Sequence, residues 1–569
     1  MAALGVACTD SQPTGSSRHP AEPAAAAATQ WFTDISDEAG LDFVHQASPG
    51  DELHLPAISA GGAAFLDYDN DGDLDIYLTN GNHVLPEARI EDGPSNRLYR
   101  RGDDGRYSDV TAESGLGDSG YGMGVATGDF DNDGWIDVFV TNYGPDRLYR
   151  NQGDGSFADI TAAAGAGVDG MSASAAFCDF DHDGFLDLYI TRYVDYRPNK
   201  PCTGKDGAPD FCGPKSFRPV HDVLLRNESG KTFSDVSEAA GISTTLAAGL
   251  GVVCLDADGD GWQDVYVAND AYPNQLWINQ GSAAPGTISF RDDSLVLGVA
   301  YNLHGQAQAG MGVIADDLDG NGTYDLFLTH LMNEANTFYG NLGGAAGYQD
   351  LSGLSGLGPT SMPFTGFGVA AFDAELDGDL DLFIANGKVN VTQAVPGSDY
   401  PPPWNTLPEP NLFYLNDGSG RFNRLDEPVR TPVTGHQISR GVASGDIDGD
   451  GDVDLLVANL QDRARLYRND APRRGHWLAV RAFDPKLRRD ALGARVTLVM
   501  GEQRTARTVA TSFGYLASHS PWVHFGVGEA RSIDRIEVRW PDGSDEVFPG
   551  TQADRTITLL RGSGEPLDG

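Results

Sequence analysis

An acidic loop of the pattern Asp-x-Asp-x-Asp-Gly-x-x-Asp occurs seven times in this chain, and an apolar segment follows each copy at once. The copies, named loops 1 to 7, begin at Asp67, Asp129, Asp179, Asp256, Asp317, Asp373 and Asp446. Three or four carboxylates around one glycine turn repel one another, and a hard cation such as Ca²⁺ prefers such oxygen ligands. The pattern therefore predicts up to seven Ca²⁺ sites in a repeated structural unit.

The predicted ligands are the side chains at loop positions one, three, five and nine, together with the residue at position seven, which offers its backbone carbonyl. Loop 5 has Asn321 at position five and loop 6 has Glu375 at position three, so we expect their affinities to differ. The full set is Asp67, Asp69, Asp71, Asp73, Asp75; Asp129, Asp131, Asp133, Trp135, Asp137; Asp179, Asp181, Asp183, Phe185, Asp187; Asp256, Asp258, Asp260, Trp262, Asp264; Asp317, Asp319, Asn321, Thr323, Asp325; Asp373, Glu375, Asp377, Asp379, Asp381; and Asp446, Asp448, Asp450, Asp452, Asp454.

The charge balance excludes some classes of partner. The net charge is −43, from 82 acidic and 39 basic residues. Nucleic acids require a basic surface, so they are not expected partners. No apolar run reaches the length of a transmembrane helix. Loops of this kind suit the millimolar calcium outside cells, so we expect an extracytoplasmic protein that is secreted, periplasmic or lipid-anchored at the cell surface.

The five cysteines support that location. Cys202 and Cys212 lie in a loop rich in proline and glycine, and we predict a local disulfide between them. Cys178 and Cys254 precede metal loops, and we predict buried packing thiols. Residues 5–8, Gly-Val-Ala-Cys, resemble a bacterial lipoprotein box with Cys8 as the lipidated residue and residues 1–29 as a leader remnant and tether. A disordered tail without that role is the equal alternative.

The elements that must position the loops have one order in every unit. A strand of small residues precedes the loop, a strand of period two follows it, and two more short strands complete the unit. Four strands per unit predict a propeller blade, and seven units predict an all-β, seven-bladed β-propeller over residues 30–470. The seventh unit lacks its last strand, whereas residues 32–36 match that strand. We therefore expect the N-terminal strand to close the ring.

After the last loop the pattern changes to alternating strands without acidic loops. Residues 471–562 predict a small β-sandwich, followed by a tail over residues 563–569. Three polar residues in this region, Arg489, Asp490 and Arg495, are candidates for a cluster, for which a structural ion pair is the favoured interpretation.

The loops and their glycine-rich strands resemble the FG-GAP/VCBS repeats of integrin alpha-subunit heads. In the C-terminal region, residues 489–496, 514–518, 523–528 and 538–543 resemble the ASPIC/UnbV domain. The combination resembles the cartilage acidic protein family, which Cys212-Gly213-Pro214 also fits. The resemblance implies the architecture, but the family has no single agreed activity.

A functional site must break the symmetry of the repeat. Five residues after each last loop aspartate, five units have asparagine, but Arg192 and His330 stand there in units three and five. Two insertions, residues 193–220 and 387–410, also interrupt the repeat. The second contains Tyr400-Pro401-Pro402-Pro403-Trp404, a stiff aromatic platform. Either insertion could shape a ligand pocket at a rim, but loop decoration without a binding role is the favoured interpretation.

The leading hypothesis is a non-catalytic binding or adhesion protein that holds a carbohydrate or an extracellular protein at a propeller rim. No known catalytic motif appears among the twelve histidines and the serines. The alternative is a calcium-dependent enzyme, similar to lyases, dehydratases or natural-product tailoring enzymes, with Arg192 and His330 as its acid–base groups. A purely structural surface protein is the third possibility.

Overall fold

The computed structural model describes residues 30–47, 53–85, 88–89, 93–198, 200–281, 286–425 and 435–566. The protein is all-β, with a few single-turn helices. The predicted lipidation of Cys8 lies outside the described residues.

Seven antiparallel sheets of the same order follow one another along the chain, and each acidic loop joins the first and second strands of its sheet. The strands are Ala63–Leu66, Asp75–Leu78, Arg97–Arg101, Tyr107–Asp109 (sheet 1); Gly122–Gly128, Asp137–Asn142, Arg147–Asn151, Phe157–Asp159 (sheet 2); Ser172–Cys178, Asp187–Arg192, Val223–Asn227, Phe233–Asp235 (sheet 3); Gly249–Leu255, Asp264–Asn269, Gln275–Asn279, Phe290–Asp292 (sheet 4); Val313–Asp316, Asp325–Leu328, Thr337–Asn341, Tyr348–Asp350 (sheet 5); Gly366–Phe372, Asp381–Asn386, Leu412–Asn416, Phe422–Arg424 (sheet 6); and Ser439–Gly445, Asp454–Asn459, Arg465–Asn469, Phe32–Asp34 (sheet 7).

The N-terminal strand supplies the last strand of sheet 7, as the sequence predicted. Phe32–Asp34 runs antiparallel to Arg465–Asn469, with Phe32 opposite Asn469. The first strand of each sheet contacts the first strand of the next, and that of sheet 7 contacts that of sheet 1. Glycines permit this approach, because a Cβ atom on Gly312 would lie 2.2 Å from the Phe367 carbonyl oxygen.

Two further sheets follow in the C-terminal region, named here the C-terminal domain. One contains Arg489–Asp490, His476–Asp484, Val523–Gly528 and Arg555–Leu560, and the other contains Gln503–Thr508, Arg495–Met500, Ser532–Arg539, Asp545–Gln552 and Glu565–Pro566. Both sheets contribute to one buried apolar cluster, which includes Val480, Phe525, Leu498 and Trp540.

The remaining regular elements are short. The α-helices are Leu55–Ser59, Thr111–Ser114, Thr161–Ala164 and Leu357–Ser361, and the 3₁₀ turns are Pro214–Ser216, Ile242–Thr244, Gly344–Ala346 and Trp404–Thr406. Two-stranded ribbons pair Val194–Asp195 with Arg218–Pro219, Cys202–Thr203 with Pro209–Asp210, and Glu409–Pro410 with His436–Gln437.

Residues 511–519 of the C-terminal domain, which we call the central segment, reach the first strands of all seven sheets. Ala517–Ser518 pairs in parallel with the first strand of sheet 1. The Tyr515 hydroxyl donates to the Ser59 carbonyl at 2.6 Å, and the Leu516 N–H donates to Ser174 Oγ at 3.0 Å. Ser518 contacts Thr127 in sheet 2. Gly514 contacts Gly251 in sheet 4, Val313 in sheet 5 and Val369 in sheet 6. His519 contacts Ser444 in sheet 7. The C-terminal domain thus holds the sheets together at their common centre.

The two insertions pack against each other instead of presenting an aromatic platform, so that interpretation was wrong. Trp404 is buried, and its ring centroid lies 6.1 Å from that of Phe211 in the other insertion. The Val391 N–H donates to Asp210 Oδ1 at 2.8 Å. Burial of the aromatic side chains is favourable, which explains why they turn inward.

The cysteines form two disulfides in the structure. Cys202 pairs with Cys212 within the first insertion. Cys178 pairs with Cys254, so the prediction of free packing thiols was wrong for both residues. Cys178 is the last residue of the first strand of sheet 3, and Cys254 is the last but one of the first strand of sheet 4. The two residues are 76 positions apart in the sequence, but the two strands are neighbours in space. The bond therefore links two sheets covalently.

Candidate metal centres and the interdomain groove

The seven loops share one hydrogen-bonded geometry. In each loop the N–H of the glycine at position six donates to the carboxylate at position one, for example Gly134 to Asp129 at 2.8 Å and Gly184 to Asp179 at 3.0 Å. The equivalent donors in the other loops are Gly72, Gly261, Gly322, Gly378 and Gly451. The glycine φ is positive, +94° at Gly134, a conformation that other residues adopt only at a cost. The loop is thus formed by its own backbone.

The aspartate at position nine is buried under each loop and joins it to the sheet. Asp187 accepts the Phe180 N–H from its own loop at 3.0 Å and the Asn227 N–H from the third strand at 2.8 Å. All seven last aspartates accept the same two kinds of backbone N–H. Burial raises the pKa of Asp75 to about 8 and that of Asp325 to about 7. A neighbouring positive charge is therefore needed to keep these groups ionised at neutral pH.

The loops fit a bound cation. In loops 1 to 5, three carboxylates of each loop offer oxygen atoms that lie within 4.8 Å of one another. Within the described parts of the chain, no hydrogen-bond donor reaches the buried oxygens Oδ1 of Asp67, Asp69, Asp131 and Asp179. Buried carboxylate oxygens without donors are costly, whereas an ion would pair with all of them. These carboxylates would hold Ca²⁺, which would neutralise their repulsion.

Sequence reasoning missed the arginines that face five of the loops. In loop 6, Arg474 Nη1 lies 2.5 Å from Glu375 and 3.4 Å from Asp377. Arg226 Nε lies 2.7 Å from Asp181 and its Nη2 lies 3.2 Å from Asp183. Arg100 and Arg150 make the equivalent pairs with loops 1 and 2, and Arg473 pairs with loop 7. The repeated Leu-x-Arg-Asn or Leu-x-Arg-Arg sequence at the third strand could have identified Arg100, Arg150 and Arg226 from the sequence. These guanidinium groups bind the outer carboxylate oxygens and leave the inner ones free for an ion.

The asparagine at the end of the third strand ties neighbouring loops together. Asn227 Nδ2 donates to the Leu186 carbonyl of loop 3 and to the Phe130 carbonyl of loop 2, both at 2.9 Å. Asn151, Asn279 and Asn416 make the same pair of bonds to their own and the preceding loop. In sheet 5, Asn341 Nδ2 donates only to its own loop, at Tyr324, among the described residues. A change in the conformation of one loop can therefore be transmitted to the neighbouring loop through a single asparagine side chain.

Arg192 and His330 both make hydrogen bonds within the fold. His330 is 1% exposed, its Nε2 lies 2.9 Å from Thr337 Oγ1, and burial lowers its pKa to about 4. Arg192 is half-buried and donates to the Asp169 carbonyl at 2.8 Å. The asparagines of other units bond to the turn that follows their strand, as Asn459 does with Arg463.

The C-terminal domain lies against the loops. Arg489 donates to Asn132 Oδ1 of loop 2 at 2.9 Å and to the Gly184 carbonyl of loop 3 at 3.2 Å. Arg495 Nη2 donates to the Gly322 carbonyl of loop 5 at 2.7 Å, and His524 Nε2 lies 2.7 Å from the Gly451 carbonyl of loop 7. Asp490 forms an ion pair with Arg481 at 2.6 Å, a residue outside the predicted cluster of Arg489, Asp490 and Arg495. The candidate metal loops are thus an interface between the two parts of the chain.

Two clefts lie along this interface and share the residues Asp67, Gly72, Leu74 and Trp522. One, of about 550 Å³, lies between loops 1 and 2 and the C-terminal domain. The other, of about 360 Å³, extends beside loops 1 and 7. We call the two together the interdomain groove. In the described part of the chain, no helix is long and apolar enough to cross a membrane.

Comparisons with known proteins agree with the repeat and the C-terminal motif. The FG-GAP-like repeat family matches residues 67–140, 129–190 and 404–457, and the ASPIC and UnbV family matches residues 484–566. Cartilage acidic protein 1 is 27% identical in Mus musculus and 26% in Homo sapiens, each over 361 residues and 54% of this chain. The chain spans about half the length of these relatives, 54% and 52%.

A solved structure of an Agrocybe aegerita lectin, described by its recognition of non-reducing terminal N-acetylglucosamine, covers 71% of this chain and 86% of its own at 15% identity, with a TM-score of 0.37. This likeness is too low to support a functional argument. The family matches confirm the predicted resemblance: the chain carries FG-GAP-like repeats followed by an ASPIC and UnbV domain, and it is similar to cartilage acidic protein 1.

Proposed function

We propose that this chain is an extracytoplasmic, calcium-stabilised seven-bladed β-propeller whose C-terminal β-sandwich is docked on the calcium loops, and that it binds a carbohydrate or protein partner without catalysis. The observation that carries the proposal is the sevenfold loop geometry, with inner carboxylate oxygens that no donor within the described residues satisfies. The continuous contact of first strands from sheet 1 to sheet 7 and back supports the closed ring.

The role proposed for Ca²⁺ is structural. Each ion would bind the carboxylates at positions one, three and five and the buried aspartate at position nine, and so fix the turn between two strands. Since asparagines link neighbouring loops and the C-terminal domain rests on several of them, ion binding would also stabilise the docking of that domain. An extracytoplasmic location, where calcium is abundant, fits this role and the two disulfides.

The enzymatic alternative has less support. Its acid–base candidates, Arg192 and His330, have structural hydrogen bonds, and His330 is buried. The paired carboxylates of the chain lie in the loops, where ion binding accounts for them. A binding role needs only a rigid surface with irregular features, and the interdomain groove is such a feature.

The test is calcium stoichiometry with thermal stability. Elemental analysis of the dialysed protein should give six or seven Ca²⁺ per chain, and a chelator should lower the melting temperature strongly. A binding screen against glycans and extracellular proteins in calcium-replete buffer should then give a partner. Few ions, or an unchanged melting temperature, would refute the structural role of calcium, and an empty screen would refute the binding role.

A further inference from the structure

Each cleft of the interdomain groove is lined by an arginine that has an unused N–H. Arg488 is exposed at the first cleft, lies over Gly134 of loop 2, and makes no hydrogen bond or ion pair with any residue that the structure describes. Arg507 lines the second cleft and is 8% exposed. Its Nε has no hydrogen-bond partner among the described residues, and its nearest acidic oxygen, on Asp316, is 3.6 Å away. A buried guanidinium with an unused N–H favours an anionic ligand.

Aromatic rings also line the groove. Trp522 is 36% exposed and lines both clefts; the Arg481 guanidinium lies over its ring at 5.9 Å, so the other face is available to a ligand. Trp135 and Phe483 line the first cleft and are half-buried. Flat aromatic faces of this kind are suited to the apolar face of a ring.

The rest of the lining accepts hydrogen bonds. Asp67 and Asp71 of loop 1 face the first cleft, and Asp446 and Asp448 of loop 7 face the second. Carboxylate oxygens that a bound Ca²⁺ leaves free can accept hydrogen bonds from hydroxyl groups. A ligand that satisfies the whole groove therefore carries an anionic group, a ring with an apolar face, and several hydroxyls.

We propose that the interdomain groove binds an acidic saccharide, with a carboxylate or sulfate at Arg488 and a sugar ring on Trp522. This inference rests on the proposed function, because Ca²⁺ in loops 1, 2 and 7 would offset carboxylate charge that otherwise repels an anion. A neutral apolar ligand would leave Arg488 without a partner among the described residues. The groove volume of about 550 Å³ in its larger cleft accommodates one or two sugar rings.

The experiment is calorimetric titration of the full, calcium-saturated chain with trigalacturonate, with its methyl ester, and with a sulfated galactose disaccharide. The methyl ester keeps the size and ring faces of the trimer but removes its charge. Binding of an acidic sugar, with the methyl ester at least about ten-fold weaker, is the expected result. The trimer and the disaccharide distinguish a carboxylate from a sulfate as the source of the charge.

Variants locate the site. Arg488→Ala and Trp522→Ala change exposed side chains, so their melting temperatures should equal that of the parent, while the affinity for the acidic sugar falls about ten-fold in each. Arg504→Ala, which removes an exposed arginine outside the groove lining, is the matched control and should bind as the parent does.

Equal binding of the trimer and its methyl ester would overturn the inference, and so would equal affinities of Arg488→Ala and Arg504→Ala. Absence of any acidic-sugar binding at millimolar concentration, in protein that calcium still stabilises, would overturn the saccharide site while the calcium-stabilised ring stands. Loss of calcium stabilisation itself would refute the proposed function.

Discussion

Asn227 offers the sharpest test of how neighbouring loops are coupled. It is fully buried, and its side chain makes three hydrogen bonds: two from Nδ2 to loops 2 and 3, and one from the Gly230 N–H to Oδ1 at 2.7 Å. Asn341 holds the same place in sheet 5 but makes two such bonds, to Tyr324 and from Gly343, among the residues described. The two residues thus differ by the bond to the preceding loop.

Replacement by alanine should therefore cost more at Asn227 than at Asn341. At about 1 kcal/mol for each neutral hydrogen bond, Asn227→Ala should lower the free energy of unfolding by about 3 kcal/mol and Asn341→Ala by about 2 kcal/mol. The Asn227 change should also weaken Ca²⁺ binding at two loops, whereas the Asn341 change should affect one.

Denaturant unfolding in calcium-saturated buffer measures the first difference, and competition with a fluorescent chelator measures the second. Asn423→Ala, an exposed asparagine in the outer strand of sheet 6, serves as a surface control and should change neither quantity. Equal losses at Asn227 and Asn341, or a single weakened calcium site in the Asn227 variant, would show that the bond between loops carries no coupling.

Three further predictions follow from the loops and the sheet contacts. The Cys178→Ser/Cys254→Ser variant should lose about 4.5 kcal/mol of stability, because the disulfide closes a loop of 76 residues; thiol titration of the unfolded parent should find one free cysteine, and five would contradict the bond. Gly526→Ala should release calcium from loop 6 and lower the melting temperature, since a Cβ atom there would lie 1.8 Å from Asp373 Oδ2; an unchanged calcium content would refute this. The chelated protein should lose stability as the pH rises from about 4 to about 8, because burial raises carboxyl pKa values such as that of Asp75, to about 8, so the folded state binds more protons than the unfolded state. The calcium-loaded protein should instead lose stability as the pH falls, because protons compete with the ion. A melting temperature that changes with pH in the same direction in the chelated and calcium-loaded protein would contradict this pair of expectations.

Local sequence was sufficient for the loop and for the strand order. The ligand spacing and the glycine at position six form each turn through bonds within nine residues, so they can be recognised without a partner element. The match between residues 32–36 and the missing strand of unit seven was also enough to predict the pairing of Phe32–Asp34 with Arg465–Asn469. Repetition supplied this information, because seven copies show which positions every unit needs.

The tertiary structure alone decided the contacts between residues that are distant in the chain. It placed the central segment against seven strands, paired Cys178 with Cys254, and set Arg488 and Arg507 in the lining of one groove. It also buried His330 and Trp404, which the sequence marked as candidates for exposed function. The physical reason is that burial and packing depend on which surfaces contact one another when the sheets close around one centre. Residue type and spacing within a unit do not determine those contacts.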